Sequence, residues 1–271
     1  MPLFWLRVAV ALYGAGLIYS LVALLRRKEV FSPRVMPVLA SGWLLHGVAL
    51  TESLVLFGRG SLFPLHQAES LLAWILMILF LAAYVGYKTT SPGLFVIPSV
   101  FLLSLSAALA QAPPHFSSVY AKNGWIGAHV ALILTGYAAL FLSFASSVLY
   151  LLQERSLKAK RVSGMLGRLP SLQTIDDMGY KVLLFGFPFI TIGLMMGSVL
   201  AESDLGAAYL RDPKILLSLA VWVLYVGLLY SRWSSGWRGR RAAYFASTAF
   251  LAAVFAWAAN FVSSCWHRFG R

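Results

Sequence analysis

Five histidines are the residues of this 271-residue chain best suited to bind a metal or pass a proton. A neutral imidazole offers one lone pair and one N–H donor. His129 and His267 each stand beside a long apolar stretch, at opposite ends of the segment they bound. His46 lies inside another such stretch, and His66 and His115 fall in the polar connections between them. An ionisable side chain in hydrocarbon is costly without a partner, so His46 is a functional candidate by position alone. A hydrogen bond between helices is its plainer reading. Two imidazoles on one side of a membrane can hold a metal or act as axial ligands of haem iron. Zinc usually takes three or four ligands; His115, Glu202 and Asp204 could be recruited, but their spacing matches no zinc pattern. Haem needs one or two donors and an apolar, aromatic slot. Trp125, Tyr209, Trp257 and Trp266 lie in the same segments, although aromatic residues gather at membrane interfaces in any case. Glu52 and Glu69 are either half of a proton or cation path or interfacial acids with access to water.

These residues need a scaffold, and composition says which kind. The chain is 60% hydrophobic and 11% charged, with a mean hydropathy of +0.78. A water-soluble domain of this size could not hide so much apolar surface. Apolar runs of about 20 residues recur, the length needed to cross about 30 Å of hydrocarbon as a helix. The expected fold is all-α: a polytopic transmembrane helical bundle of eight spans in a single integral membrane domain, 1–271. The spans are about 3–25, 35–57, 67–87, 92–112, 125–153, 180–201, 213–231 and 242–264. The N-terminal stretch lacks a basic leader and a small-residue cleavage site, so it reads as the first span rather than a signal peptide.

The net charge of +13 would suggest nucleic acid in a soluble protein. Here Lys and Arg cluster in short connections between spans, which is a mark of orientation and not of nucleic-acid binding. Fifteen of the 22 fall in the connections after spans one, three, five and seven. The positive-inside rule therefore puts both termini outside, in a multi-pass protein of a bacterial inner membrane. His129, His267 and the loop 202–212, "ESDLGAAYLRD", then share the outer face. On the inner face, the connection 154–179 reads as a solvated, basic connector in which Thr174 caps a short surface helix. Within the spans, Gly193 and Gly197 sit four apart on one helix face and permit close helix contact. Pro37, Pro98 and Pro188 belong to first turns or kinks. Cys265 is alone, which excludes an intrachain disulfide or a CxxC motif. No nucleophile elbow, phosphate-binding loop, HExxH or dinucleotide fingerprint is present.

Four stretches, in order, carry a resemblance. They are "HVALILTGYAALFLSFASSVLYLLQER", "GYKVLLFGFPFITIGLMMGSVLA", "DPKILLSLAVWVLYVGLLYSRWSSGWRGRRAAY" and "ANFVSSCWHRFG". Together they resemble the cytochrome c assembly superfamily, which includes CcsA, ResC, CcmC and the HemX and YpjD branch. The resemblance runs over about 65–271. It implies an outer tryptophan-rich segment that holds haem, flanked by two outer histidines that correspond to His129 and His267. It also implies a pair within the membrane, the first member falling at His46 and the second at Tyr230. Of the tryptophan motif only Gly206, Asp212, Pro213 and Lys214 remain. Leu205, Tyr209 and Arg211 stand where indoles are expected, and Ile215 replaces a glutamate. That departure is most like the HemX and YpjD branch. Asp212 and Pro213 have a structural reading too, as N-cap and first residue of span seven.

The resemblance implies a haem-handling membrane protein that relays haem to a partner such as apocytochrome c or another assembly protein, with no enzymatic step of its own. A HemX-like regulator or scaffold of haem biosynthesis is the alternative. A small cation or metabolite transporter through Glu52, Glu69 and His46 is the third reading, and it lacks the repeat symmetry common in transporters. The charge asymmetry can be checked directly. Reporter fusions after residue 160 are expected to be cytoplasmic, and fusions after residue 207 periplasmic. The opposite pattern would take away the reason for grouping His129 with His267.

Overall fold

In hydrocarbon each backbone amide must be satisfied within its own segment, and the chain answers with helices. The computed structural model describes residues 2–25, 33–57, 65–110, 124–160, 169–206 and 213–263. Among them are eight α-helices and no strand: α1 Pro2–Leu25, α2 Met36–Phe57, α3 Leu65–Tyr87, α4 Gly93–Leu109, α5 Gly124–Lys158, α6 Leu172–Leu205, α7 Pro213–Trp233 and α8 Arg240–Ser263. Six are long and apolar enough to cross a membrane, namely α1, α2, α3, α5, α6 and α7. The shorter α4 has 17 residues and carries Pro98. The chain is thus an all-helical, multi-pass membrane protein.

Of three apolar clusters among the described residues, the two larger ones organise the bundle. One gathers Tyr13, Leu39, Phe80 and Ile97 from α1–α4. The other gathers Val221, Tyr225, Leu228 and Ala249 from α7 and α8 with Ile190 of α6. Helix α5 serves both: Ala138 and Leu142 join the first cluster, and Leu140 joins the second. Helix α5 itself carries many small residues, among them Gly136, Ala138, Ala139, Ser143, Ala145 and Ser146, all buried. Small side chains let neighbouring helices approach on every side, which is how helix pairs gain contact in lipid. Buried hydroxyls turn back on their own helix: Ser104 donates to the Val100 carbonyl at 2.7 Å and Ser146 to that of Leu142 at 2.8 Å.

The tightest seam joins α5 to α6. Gly179, Gly186 and Gly193 recur every seven residues on α6, so they keep to one stripe as the two helices wind around each other. A Cβ at Gly186 would collide with that of Ala139, and one at Gly136 would come within 2.6 Å of the Ile190 Cβ. One at Gly179 would stand 3.1 Å from the Ser146 Cβ. At 1.5 Å per residue the 35 and 34 residues of α5 and α6 run about 50 Å, roughly 20 Å more than the hydrocarbon layer.

The surplus lies at the end where α5 leads into α6, and it corrects the expectation for 154–179. Among the described residues no separate short helix forms there. Helix α5 continues to Lys158 and α6 already starts at Leu172. The cap is Ser171, whose hydroxyl accepts from the Thr174 N–H at 3.1 Å, and not Thr174. Asp176 lies on this extension. Its carboxylate takes both guanidinium nitrogens of Arg232 at 2.9 and 2.7 Å, and the Gly239 N–H at 3.2 Å. Arg232 also stacks on Tyr180, 4.8 Å from the ring centre. The two charged side chains are only 15% and 10% exposed. Removing one partner of such a pair strands the other, so Asp176→Ala is expected to cost about 3 kcal/mol. Arg232→Ala added to it should cost less than the two single losses together. Unfolding of detergent-solubilised protein by SDS titration measures both, and fully additive losses would show that the pair is uncoupled.

Candidate haem-ligand site

His129 is the sixth residue of α5, within its second turn. It is half-buried, and its Nδ1 lies 2.6 Å from the Gly193 carbonyl oxygen on α6. A carbonyl only accepts, so Nδ1 must be the donor. The neutral ring then carries its lone pair on Nε2, for which the described residues supply no hydrogen-bond partner. A histidine whose other nitrogen is tied to a backbone carbonyl has the arrangement of a metal ligand.

The Gly193 and Gly197 pair does what its spacing suggests, since both face α5. Gly193 receives the Ile133 side chain and Gly197 the His129 ring. Gly206 ends α6 at φ 60°, ψ −154°, a conformation essentially limited to glycine. Pro213 is the first residue of α7, where its missing N–H costs nothing. Two survivors of the tryptophan motif thus stand at helix boundaries. Asp212, the expected N-cap, and Tyr209 and Arg211 lie outside the described residues, as do His267, His115, Cys265 and Trp266.

The path of α8 can be followed as far as residue 263. Phe250 stacks on Phe144 with centroids 4.4 Å apart and meets Phe141 edge-on at 5.4 Å. Gly239, just before α8, lies against the Tyr150 hydroxyl. Helices α5 and α8 are therefore antiparallel. At 1.5 Å per residue on both, residue 263 comes level with His129 about 13 residues beyond the Phe250 contact.

His46 is fully buried on α2. Its Nε2 lies 2.8 Å from the Ser70 hydroxyl on α3, and its Nδ1 a long 3.5 Å from that of Tyr13 on α1. Tyr230 belongs to the other half, on α7, with 60% of its surface exposed. The structure therefore does not bring His46 and Tyr230 together: α2 packs on α1 and α3, and α7 on α6 and α8. Glu69 accepts from Ser106 at 2.8 Å and meets His66 at 3.3 Å. Sequence reasoning overlooked the Asp176–Arg232 clasp and the glycine seam. The seven-residue glycine period was the available signal for the second.

A family model described as cytochrome C assembly protein matches residues 62–267. The chain is 29% identical to a cytochrome c biogenesis protein CcsA of Guillardia theta, over 77% of each chain. It is 27% identical to a protein HemX of Brevibacillus brevis, over 83% of this chain and 84% of that one. A CcsA of Prochlorococcus marinus is 26% identical, over 93% of this chain and 88% of its own length. The match spans the α5–α6 seam, His129 and the approach of α8 to the same level, and on it the chain belongs to the cytochrome c assembly protein family.

Proposed function

We propose that the chain binds or relays haem at the outer face of a bacterial inner membrane during cytochrome c assembly, with His129 and His267 as axial donors to iron. The observation that carries this reading is the 2.6 Å contact of His129 Nδ1 with the Gly193 carbonyl, which leaves Nε2 as the donor. When bound, haem supplies an iron centre that accepts such nitrogens. The antiparallel register of α5 and α8 supports the second donor, since His267 follows residue 263 by only four positions. In this reading all eight helices cross the membrane within one domain, 1–271. An even number of crossings returns the chain to the side where it began, and the basic asymmetry puts that side outside.

His46 fits a hydrogen-bonding role better than that of a ligand. Iron at Nε2 would displace Ser70 from a 2.8 Å contact, and no second donor from α7 is at hand. Its engagement, and that of Glu69 with Ser106 and His66, speaks against a transport path through these groups. The similarity to HemX favours one second reading, a membrane regulator or scaffold without haem of its own. In the haem reading, apocytochrome c or another assembly protein receives the cargo.

Absorbance of the purified protein decides between the two. With added haem, the parent is expected to show a Soret band typical of histidine ligation. His129→Ala and His267→Ala should each remove it, while Tyr230→Phe should leave it unchanged. A double histidine variant that binds haem as well as the parent would refute the outer-ligand assignment. The lost indoles supply a further test. Each flat aromatic contact is worth on the order of 1–3 kcal/mol. Tyr209→Trp with Arg211→Trp should therefore tighten haem binding by about tenfold or more, and no gain would mean that this loop does not touch the porphyrin.

A further inference from the structure

We propose that Gly197, with the Gly193 carbonyl one turn before it, is a positioning element that holds His129 in a single tautomer and orientation; this rests on the haem reading only for the group that Nε2 meets. A Cβ built on Gly197 would collide with His129 Cε1, and it would stand 2.9 Å from Nδ1 and 3.3 Å from Nε2. The ring therefore lies in space that exists only because residue 197 has no side chain. Gly197 is an ordinary helical residue in the body of α6, unlike the positive-φ Gly206, Gly236 and Gly239. Backbone freedom does not explain it, so room does.

That room has a second effect. In a helix the Gly193 carbonyl already accepts from the N–H of residue 197. A carbonyl oxygen has two lone pairs, and the second is open to another helix only when no side chain at the following turn covers it. With glycine at 197, the Nδ1–H of His129 reaches that oxygen at 2.6 Å. The carbonyl then fixes the proton on Nδ1, and the glycine fixes the plane of the ring. The neighbouring contact of Ile133 against Gly193 keeps the two helices equally close one turn away, so the groove that the ring occupies is narrow.

The test uses the full chain in lipid nanodiscs, without haem, labelled with 15N-histidine. Proton–nitrogen correlation spectra distinguish a protonated Nδ1 from a protonated Nε2, and His129→Gln assigns the signal. The expected result is a single Nδ1–H form for His129. An Nε2–H form, or exchange between the two, would overturn the proposal whatever the protein does with haem. Gly197→Ala should abolish the single Nδ1–H form and weaken haem binding by about 10- to 100-fold, the usual range when the partner of a metal-ligating histidine is lost. Gly86→Ala is the control, since a Cβ there meets nothing within 4 Å; both readouts should match the parent. A Gly197→Ala protein with parental tautomer and affinity would contradict the positioning role. Should that variant fail to fold, the tautomer of the parent alone decides. A parent with Nδ1–H that binds no haem would uphold the positioning and remove the haem reading instead.

Discussion

The close approach of α5 and α6 is the constraint on which the rest of the structure depends. In lipid there is no hydrophobic drive between helices, so contact must come from surfaces that fit. Glycines at 179, 186 and 193 leave a groove along α6, and α5 fills it with Ser146, Ala139 and Ile133 in turn. The same stripe continues to Gly197, where the filling group is the His129 imidazole. Structure and candidate chemistry are thus the same packing device, read at different heights. Gly186 also makes room for Tyr225 of α7, whose hydroxyl donates to the Leu183 carbonyl at 2.9 Å. The seam therefore sets where α7 sits as well.

The two ends of the seam differ in chemistry. At the end near the connection from α5 to α6, the partners are charged. Asp176 takes a bidentate Arg232 and a backbone N–H, closing α6 against α7 and the turn that leads into α8. At the opposite end the partners are an imidazole and a backbone carbonyl. The N-terminal half has its own polar centre, in which His46 links α2 to α3 through Ser70, and to α1 through a longer contact with Tyr13. The shorter of the two contacts, Nε2 to Ser70, ties α2 to α3.

Much of this was legible in the sequence. Helix positions followed from apolar length, because hydrocarbon thickness leaves few alternatives. Pro213 and the Gly193–Gly197 pair behaved as their types suggest, and the family resemblance from residue 65 agrees with the match over 62–267. The boundaries between α5 and α6 differ from the sequence reading because hydropathy marks where apolar sequence ends, and the two helices do not end there. "TIDDMGYK" looks like a loop until Arg232, 56 residues away, is known to neutralise Asp176. Nor could periodicity show that a glycine on α6 faces a histidine 68 positions earlier. That depends on the antiparallel register, which is a property of the pair.

The distance between His129 and the Gly193 carbonyl tests the central claim most directly. Solid-state NMR of the protein in bilayers, with 15N-histidine and 13C-carbonyl glycine labels, measures it by dipolar dephasing. Hydrogen bonding at 2.6 Å between Nδ1 and the oxygen puts the nitrogen about 3.5–4 Å from the carbonyl carbon. The account predicts strong dephasing of the Nδ1 signal at that range, lost in His129→Gln. Absence of any glycine carbonyl near a histidine Nδ1 would contradict it.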